Sequence, residues 1–113
     1  MLRPAAWICV VLLAVLSLVP GHAQIRTGAP GIVEHIVAYA ATAAVFTLGY
    51  PAASRTRIIL ALVCYAGLLE FAQSLVPDRS ATVWDFGGSS LGVVLGCLIG
   101  AIVAHALPAP PAQ

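Results

Sequence analysis

Acidic and amide side chains gather in one short stretch of a chain that otherwise carries little charge. Glu70 and Gln73 stand three residues apart, and Asp78, Arg79 and Asp85 follow closely. Carboxylates can act as general acids or bases, and an arginine can hold carboxylate or phosphate through two parallel hydrogen bonds. An ionised group beside long apolar runs is costly and is usually retained for a partner or a function. This stretch is therefore the first candidate for a functional site.

A second polar group lies upstream, at the start of another apolar run. Glu34 and His35 are adjacent, and Tyr39 follows His35 by four residues, which places the two on one face of a helix. Asp85 and Ser89 repeat the same spacing. We predict that three helices bring one polar site together, formed by Glu34, His35, Tyr39, Glu70, Gln73, Arg79 and Asp85.

Each of these residues also has a purely structural explanation. Asp85 could cap the N-terminus of a helix, and His35 could donate to a backbone carbonyl one turn away. Charged residues at helix ends can simply face water, and this would explain Glu34, Asp78 and Arg79. An interfacial belt of aromatic residues is the corresponding explanation for Tyr39, Tyr50, Trp7 and Trp84.

Glu70 is the hardest of them to explain structurally. We predict it about six residues inside its helix, or roughly 9 Å from the helix end at helical rise. At such a depth a carboxylate must be paired, hydrated or protonated. By sequence, Arg79 is the nearest strong cation, and Arg26 is a second candidate partner.

The composition places most of the chain in lipid. Of 113 residues, 61% are hydrophobic and 8% are charged, and the mean hydropathy is +1.02. A soluble domain of this size buries only part of its surface and could not hide so much apolar area. A net charge of +1 without a basic cluster argues against nucleic acid as a partner. The three cysteines lack metal-ligand spacing, so neither a metal nor another cofactor is predicted.

Four apolar runs predict an all-α, polytopic transmembrane bundle, with proline or glycine at every boundary. The predicted helices cover residues 5–19, 32–50, 58–76, and from 84 or 85 to about 107. The first run also resembles a secretory signal covering residues 1–23, whose removal would leave three helices; we favour a retained helix. Residues 1–30 thus form a first helix with an outer loop, residues 31–107 the main bundle, and residues 108–113 a disordered proline-rich tail.

Arginines predict the orientation, since the chain has no lysine. Arg55 and Arg57 share a very short loop, where the positive-inside rule is strongest, and Arg3 lies on the same side of the membrane. Both termini and the loop at residues 51–57 are therefore predicted in the cytoplasm. The loops at 20–31 and 77–83 face outward, so the polar site lies at the outer edge of the membrane.

Small residues repeat at intervals of four along the last helix. Such a seam lets two helix backbones approach closely, either within the chain or between copies in a homo-oligomer. The seam consists of Gly88, Gly92, Gly96, Gly100 and Ala104.

The order and spacing of these motifs resemble the VanZ-like family of small bacterial membrane proteins. The matching segments are GIVEHIVAYA at residues 31–40 and LLEFAQSLVPDRSATVWDFGGSSLG at residues 68–92. The family pattern often has a lysine three positions before the histidine, where this chain has Ile32. The resemblance implies a four-helix bundle in the bacterial inner membrane and a link to low-level teicoplanin resistance. Its motif positions imply functional roles for His35, Tyr39, Glu70, Gln73, Arg79 and Asp85.

Three functions compete at this stage. The favoured one is binding of a lipid or of a lipid-linked cell-wall precursor, with Arg79 and protonated His35 meeting phosphate or carboxylate. The second is an intramembrane hydrolase with Glu70 as general acid or base, although neither a Ser-His-Asp order nor an HExxH zinc signature is present. The third is a small proton-coupled carrier with Glu70 as the relay.

Overall fold

The fold is all-α. A computed structural model describes residues 2–19, 31–76 and 82–108, and these contain four helices and no strand. The helices are α1 (Leu2–Leu18), α2 (Gly31–Gly49), α3 (Arg55–Gln73) and α4 (Val83–Ala106). The last three are long and apolar enough to cross a membrane, whereas α1 is a shorter apolar helix. The predicted all-α membrane bundle is thereby confirmed.

Several predicted features lie outside the described residues. They are Arg26, Asp78, Arg79, most of both outward loops, and residues 109–113 of the predicted tail.

Helix α3 begins and ends three residues earlier than predicted. It starts at its N-cap Ser54, whose side chain accepts the Arg57 N–H. The prediction followed the apolar run and therefore missed a first turn that carries two arginines. At the other end, backbone bonds from residues 74–76 turn the chain out of the helix after Gln73. Glu70 consequently lies only one turn from the end of α3, not six residues inside it.

The closest packing in the described bundle joins α2 and α4, which run parallel. Gly88 faces Ile32, Gly92 faces Ile36, and the pairing continues in the same direction along both helices. A Cβ atom at Gly96 would overlap the Ala40 carbonyl oxygen, and one at Gly100 would lie 2.8 Å from Thr47 Cβ. The seam of glycines is therefore used within the chain, where it lets the two backbones touch.

Helix α3 packs on this pair, with the Phe86 ring of α4 at 3.4 Å from the position of a Cβ on Gly67. The buried core continues inward through residues such as Tyr39, Leu62 and Val93. Gly67 thus provides the space that brings α3 against α4 beside Glu70.

Helix α1 is fixed to the bundle by polar bonds as well as packing. Arg3 Nε donates to the Gly49 carbonyl at 2.9 Å, and Trp7 Nε1 donates to the Tyr50 hydroxyl at 2.8 Å. The Tyr65 hydroxyl of α3 donates to the Val10 carbonyl at 2.6 Å. These are contacts that a retained helix would make, while its retention itself stays a prediction.

Candidate functional site at the acidic end of the bundle

The start of α2, the end of α3 and the start of α4 lie at one end of the bundle, here called the acidic end. Ile32 packs on Gly88, and Glu70 contacts Thr82, so these three helix ends are neighbours. Glu34 is in the first turn of α2, and Asp85 is in the first turn of α4. All three described acidic side chains therefore belong to this end.

Glu70 is held by the beginning of the next helix. Its Oε1 accepts the backbone N–H of Thr82 at 2.8 Å. Glu70 lies near the C-terminus of its own helix, where the helix dipole disfavours a carboxylate. The N-terminus of α4 supplies an unpaired N–H and a favourable dipole at the same point. The bond therefore both stabilises the carboxylate and fixes α3 to α4.

Thr82 is the N-cap of α4, which corrects the interpretation of Asp85 as the cap. The Thr82 hydroxyl accepts the Asp85 N–H at 3.1 Å. In a capping box, the side chain of the third helical residue would reach back to the N-cap N–H. Here Glu70 occupies that N–H instead. The half-buried Asp85 carboxylate is thus released from capping and makes no hydrogen bond to the described residues.

His35 makes the local bond that its structural explanation anticipates. Its Nδ1 lies 2.8 Å from the Gly31 carbonyl oxygen, which can only accept a hydrogen bond. Nδ1 therefore donates to this carbonyl, and Nε2 is the ring atom that remains for another partner.

Two polar side chains are almost completely buried beside this carboxylate system. Tyr39 and Gln73 are each 3% exposed. Tyr39 lies within electrostatic range of Glu70, and its burial places it inside the bundle and not in an interfacial belt. Neither side chain forms a hydrogen bond with the described part of the chain. Among the described residues, the fully buried side-chain polar atom without a hydrogen-bond partner is Ser90 Oγ, so the polar atoms of Tyr39 and Gln73 keep some accessible surface.

A cavity of about 380 Å³ opens on the outer side of Glu70, between α3 and α4. Its lining is mostly apolar and includes Phe71 and Phe86, with Glu70, Ser74 and Thr82 as the polar members. A carboxylate at the edge of an apolar cavity is the arrangement expected for an amphipathic ligand, whose polar group and hydrocarbon chain meet at that edge.

The residue of the candidate site that sequence reasoning missed is Thr82. The spacing of Thr82 and Asp85 matches the start of a capping box and could have indicated it. Its use as the anchor for Glu70 depends on a contact between two helices, which no local pattern reports. Among the described residues, no group of three or more histidine, cysteine or acidic side chains could hold a metal ion.

Comparisons with known proteins add no relative. No family model, no curated protein and no solved structure matches the chain.

Proposed function

We propose that this protein binds the head group of a membrane lipid or of a lipid-linked cell-wall precursor at its acidic end. The observation that carries the proposal is the pair of Tyr39 and Gln73, whose side chains are largely buried, while their polar atoms keep accessible surface and form no hydrogen bond with the described residues. They lie beside a carboxylate that is already fixed by Thr82. A head group that brings its own donors and acceptors would satisfy them.

The available groups suit a ligand with mixed polarity. The Gln73 amide and the Tyr39 hydroxyl can each donate and accept, and the Asp85 carboxylate accepts. His35 Nε2 is a further polar atom, because Nδ1 already bonds the Gly31 carbonyl. Arg79, which lies outside the described residues, is the proposed partner for phosphate. A lipid tail would leave the site through the apolar cavity beside Glu70.

We further propose VanZ-like family membership, a bacterial inner-membrane location and an outward-facing acidic end. The motif spacing supports the family, and the arginine distribution supports the orientation. Teicoplanin tolerance would follow if the bound head group belongs to a cell-wall precursor, because a sequestered precursor is less accessible to the antibiotic. This extension depends on head-group binding and fails with it.

Lipid-dependent thermal stability of the purified full-length chain in detergent tests the proposal. The probes are phosphatidylethanolamine, phosphatidylglycerol and a polyprenyl diphosphate, compared with diacylglycerol, which has no charged head group. We expect stabilisation by at least one charged lipid and little by diacylglycerol. Gln73→Leu should weaken the affinity for that lipid roughly tenfold, and the stabilisation should fall accordingly. This factor is expected for one to two lost hydrogen bonds.

Gly87→Ala is the matched control, because a Cβ at Gly87 meets no atom within 4 Å. It should behave like the wild-type chain. Equal stabilisation by diacylglycerol and by every charged lipid would contradict head-group recognition. Mass analysis of the recovered lipid separates binding from the hydrolase alternative, since hydrolysis would release the head group.

A further inference from the structure

A second cavity lies at the opposite end of the bundle, between α1, α2 and α3. Its volume is about 310 Å³, at the lower end of the range of roughly 300–1,000 Å³ for small-molecule sites. Trp7 and Phe46 form one wall, and Ala61, Leu62 and Tyr65 of α3 form the other. We call it the arginine-end groove, because Arg57 is also part of its lining.

The groove is apolar because its aromatic polar atoms are already used by the protein. Trp7 Nε1 donates to the Tyr50 hydroxyl, and the Tyr65 hydroxyl donates to the Val10 carbonyl. The Phe46 ring packs edge-on against Trp7 at 5.4 Å and stacks with Tyr50 at 5.9 Å between ring centroids. These contacts join the aromatic rings of the wall and leave carbon surface facing the groove, which suits an acyl chain.

The rim of the groove is positively charged. Arg57 lies in its lining, Arg55 is two residues away in the chain, and both are exposed. The Arg3 guanidinium lies 4.6 Å above the Tyr50 ring centroid, and its Nε bond to Gly49 holds it there. All the described acidic residues are at the other end of the bundle, so no described carboxylate neutralises this rim.

We infer that the arginine-end groove binds one anionic phospholipid. An acyl chain lies against Trp7, Phe46 and Ala61, and the phosphate lies against Arg57, with Arg3 as the neighbouring charge. Charge complementarity selects an anionic head group, since a basic residue at a membrane surface favours anionic lipid by about 1 kcal/mol. The site is independent of the acidic end and of the function proposed there.

Native mass spectrometry of the full-length chain tests this, with titration of phosphatidylglycerol against phosphatidylcholine of the same acyl chains. We expect one phosphatidylglycerol to bind at least fivefold more tightly than phosphatidylcholine. Arg57→Gln should remove most of that preference, a roughly fivefold loss. Arg55→Gln is the matched control, because it removes the same charge from the same turn without touching the groove, and it should retain the preference.

Ala61→Trp tests the acyl-chain part separately by filling the groove from an exposed position on α3. It should weaken the binding of both phosphatidylglycerol and phosphatidylcholine and reduce the ratio between their affinities. Equal losses in Arg57→Gln and Arg55→Gln would overturn the proposal in favour of general surface attraction. Undiminished binding by Ala61→Trp would overturn it as well.

Discussion

At the residue scale, the acidic end is organised by one hydrogen bond, in which Glu70 takes the place that Asp85 would have in a capping box. The N-cap N–H of α4 would ordinarily be available to Asp85, yet Glu70 of α3 occupies it. One carboxylate is thereby fixed as a structural link, and the other forms no hydrogen bond with the described residues. Two acids that look equivalent in the sequence therefore have different roles.

The link predicts unequal costs for two substitutions at Glu70. Glu70→Gln keeps an oxygen that can accept the Thr82 N–H and should cost about 1 kcal/mol, the difference between a charged and a neutral hydrogen bond. Glu70→Leu leaves the N–H without that acceptor and should cost about 2–3 kcal/mol. Unfolding of the purified protein by SDS in mixed micelles measures both.

Leu75→Ala, exposed just beyond the same helix, is the control and should change stability by less than about 0.5 kcal/mol. A Glu70→Leu variant as stable as the wild type would show that the Thr82 bond contributes nothing.

At the element scale, the contact between α2 and α4 depends on glycine for space. Their backbones are so close that a Cβ at Gly92 or Gly96 would overlap a carbonyl oxygen of α2. In lipid, the hydrophobic effect does not drive helices together, so close packing is the main source of association. The seam therefore sets the position of Glu34 and His35 relative to Asp85.

Gly96→Ala and Gly87→Ala should have different effects on stability although both change the same helix. Gly96→Ala forces α2 and α4 apart and should destabilise the bundle by about 1–3 kcal/mol. Gly87→Ala meets open space and should be neutral or stabilising by up to about 1 kcal/mol, through helix propensity. The same SDS titration measures them, and equal effects of the two variants would contradict the packing described here.

The sequence predicted the positions of the helices better than the contacts between them. Apolar runs between prolines and glycines predicted α2 and α4 to within about two residues at each end, because a span length is fixed by the bilayer. The boundaries of α3 were displaced because Ser54 caps the helix before the apolar run begins. Burial of Gln73 and the use of Thr82 arise from packing between helices, so local spacing could not predict them.

At the scale of the whole molecule, charge is segregated along the bundle. The described arginines Arg3, Arg55 and Arg57 belong to one end, where Arg3 also bonds the last residue of α2. The described carboxylates belong to the other. This separation gives the molecule a cationic end, where we propose that anionic lipid binds, and an acidic end, where we propose that a polar head group binds. The positive-inside rule then predicts which end faces the cytoplasm.

Thiol labelling in intact cells tests the outward orientation of the acidic end most directly. In a chain with Cys9, Cys64 and Cys97 replaced by alanine, single cysteines are placed at Val83 and at Thr56, which are exposed at opposite ends. A membrane-impermeant maleimide should label Val83→Cys from outside, and Thr56→Cys only after the membrane is permeabilised. Labelling of Thr56→Cys in intact cells, with Val83→Cys protected, would place the acidic end in the cytoplasm and contradict the account.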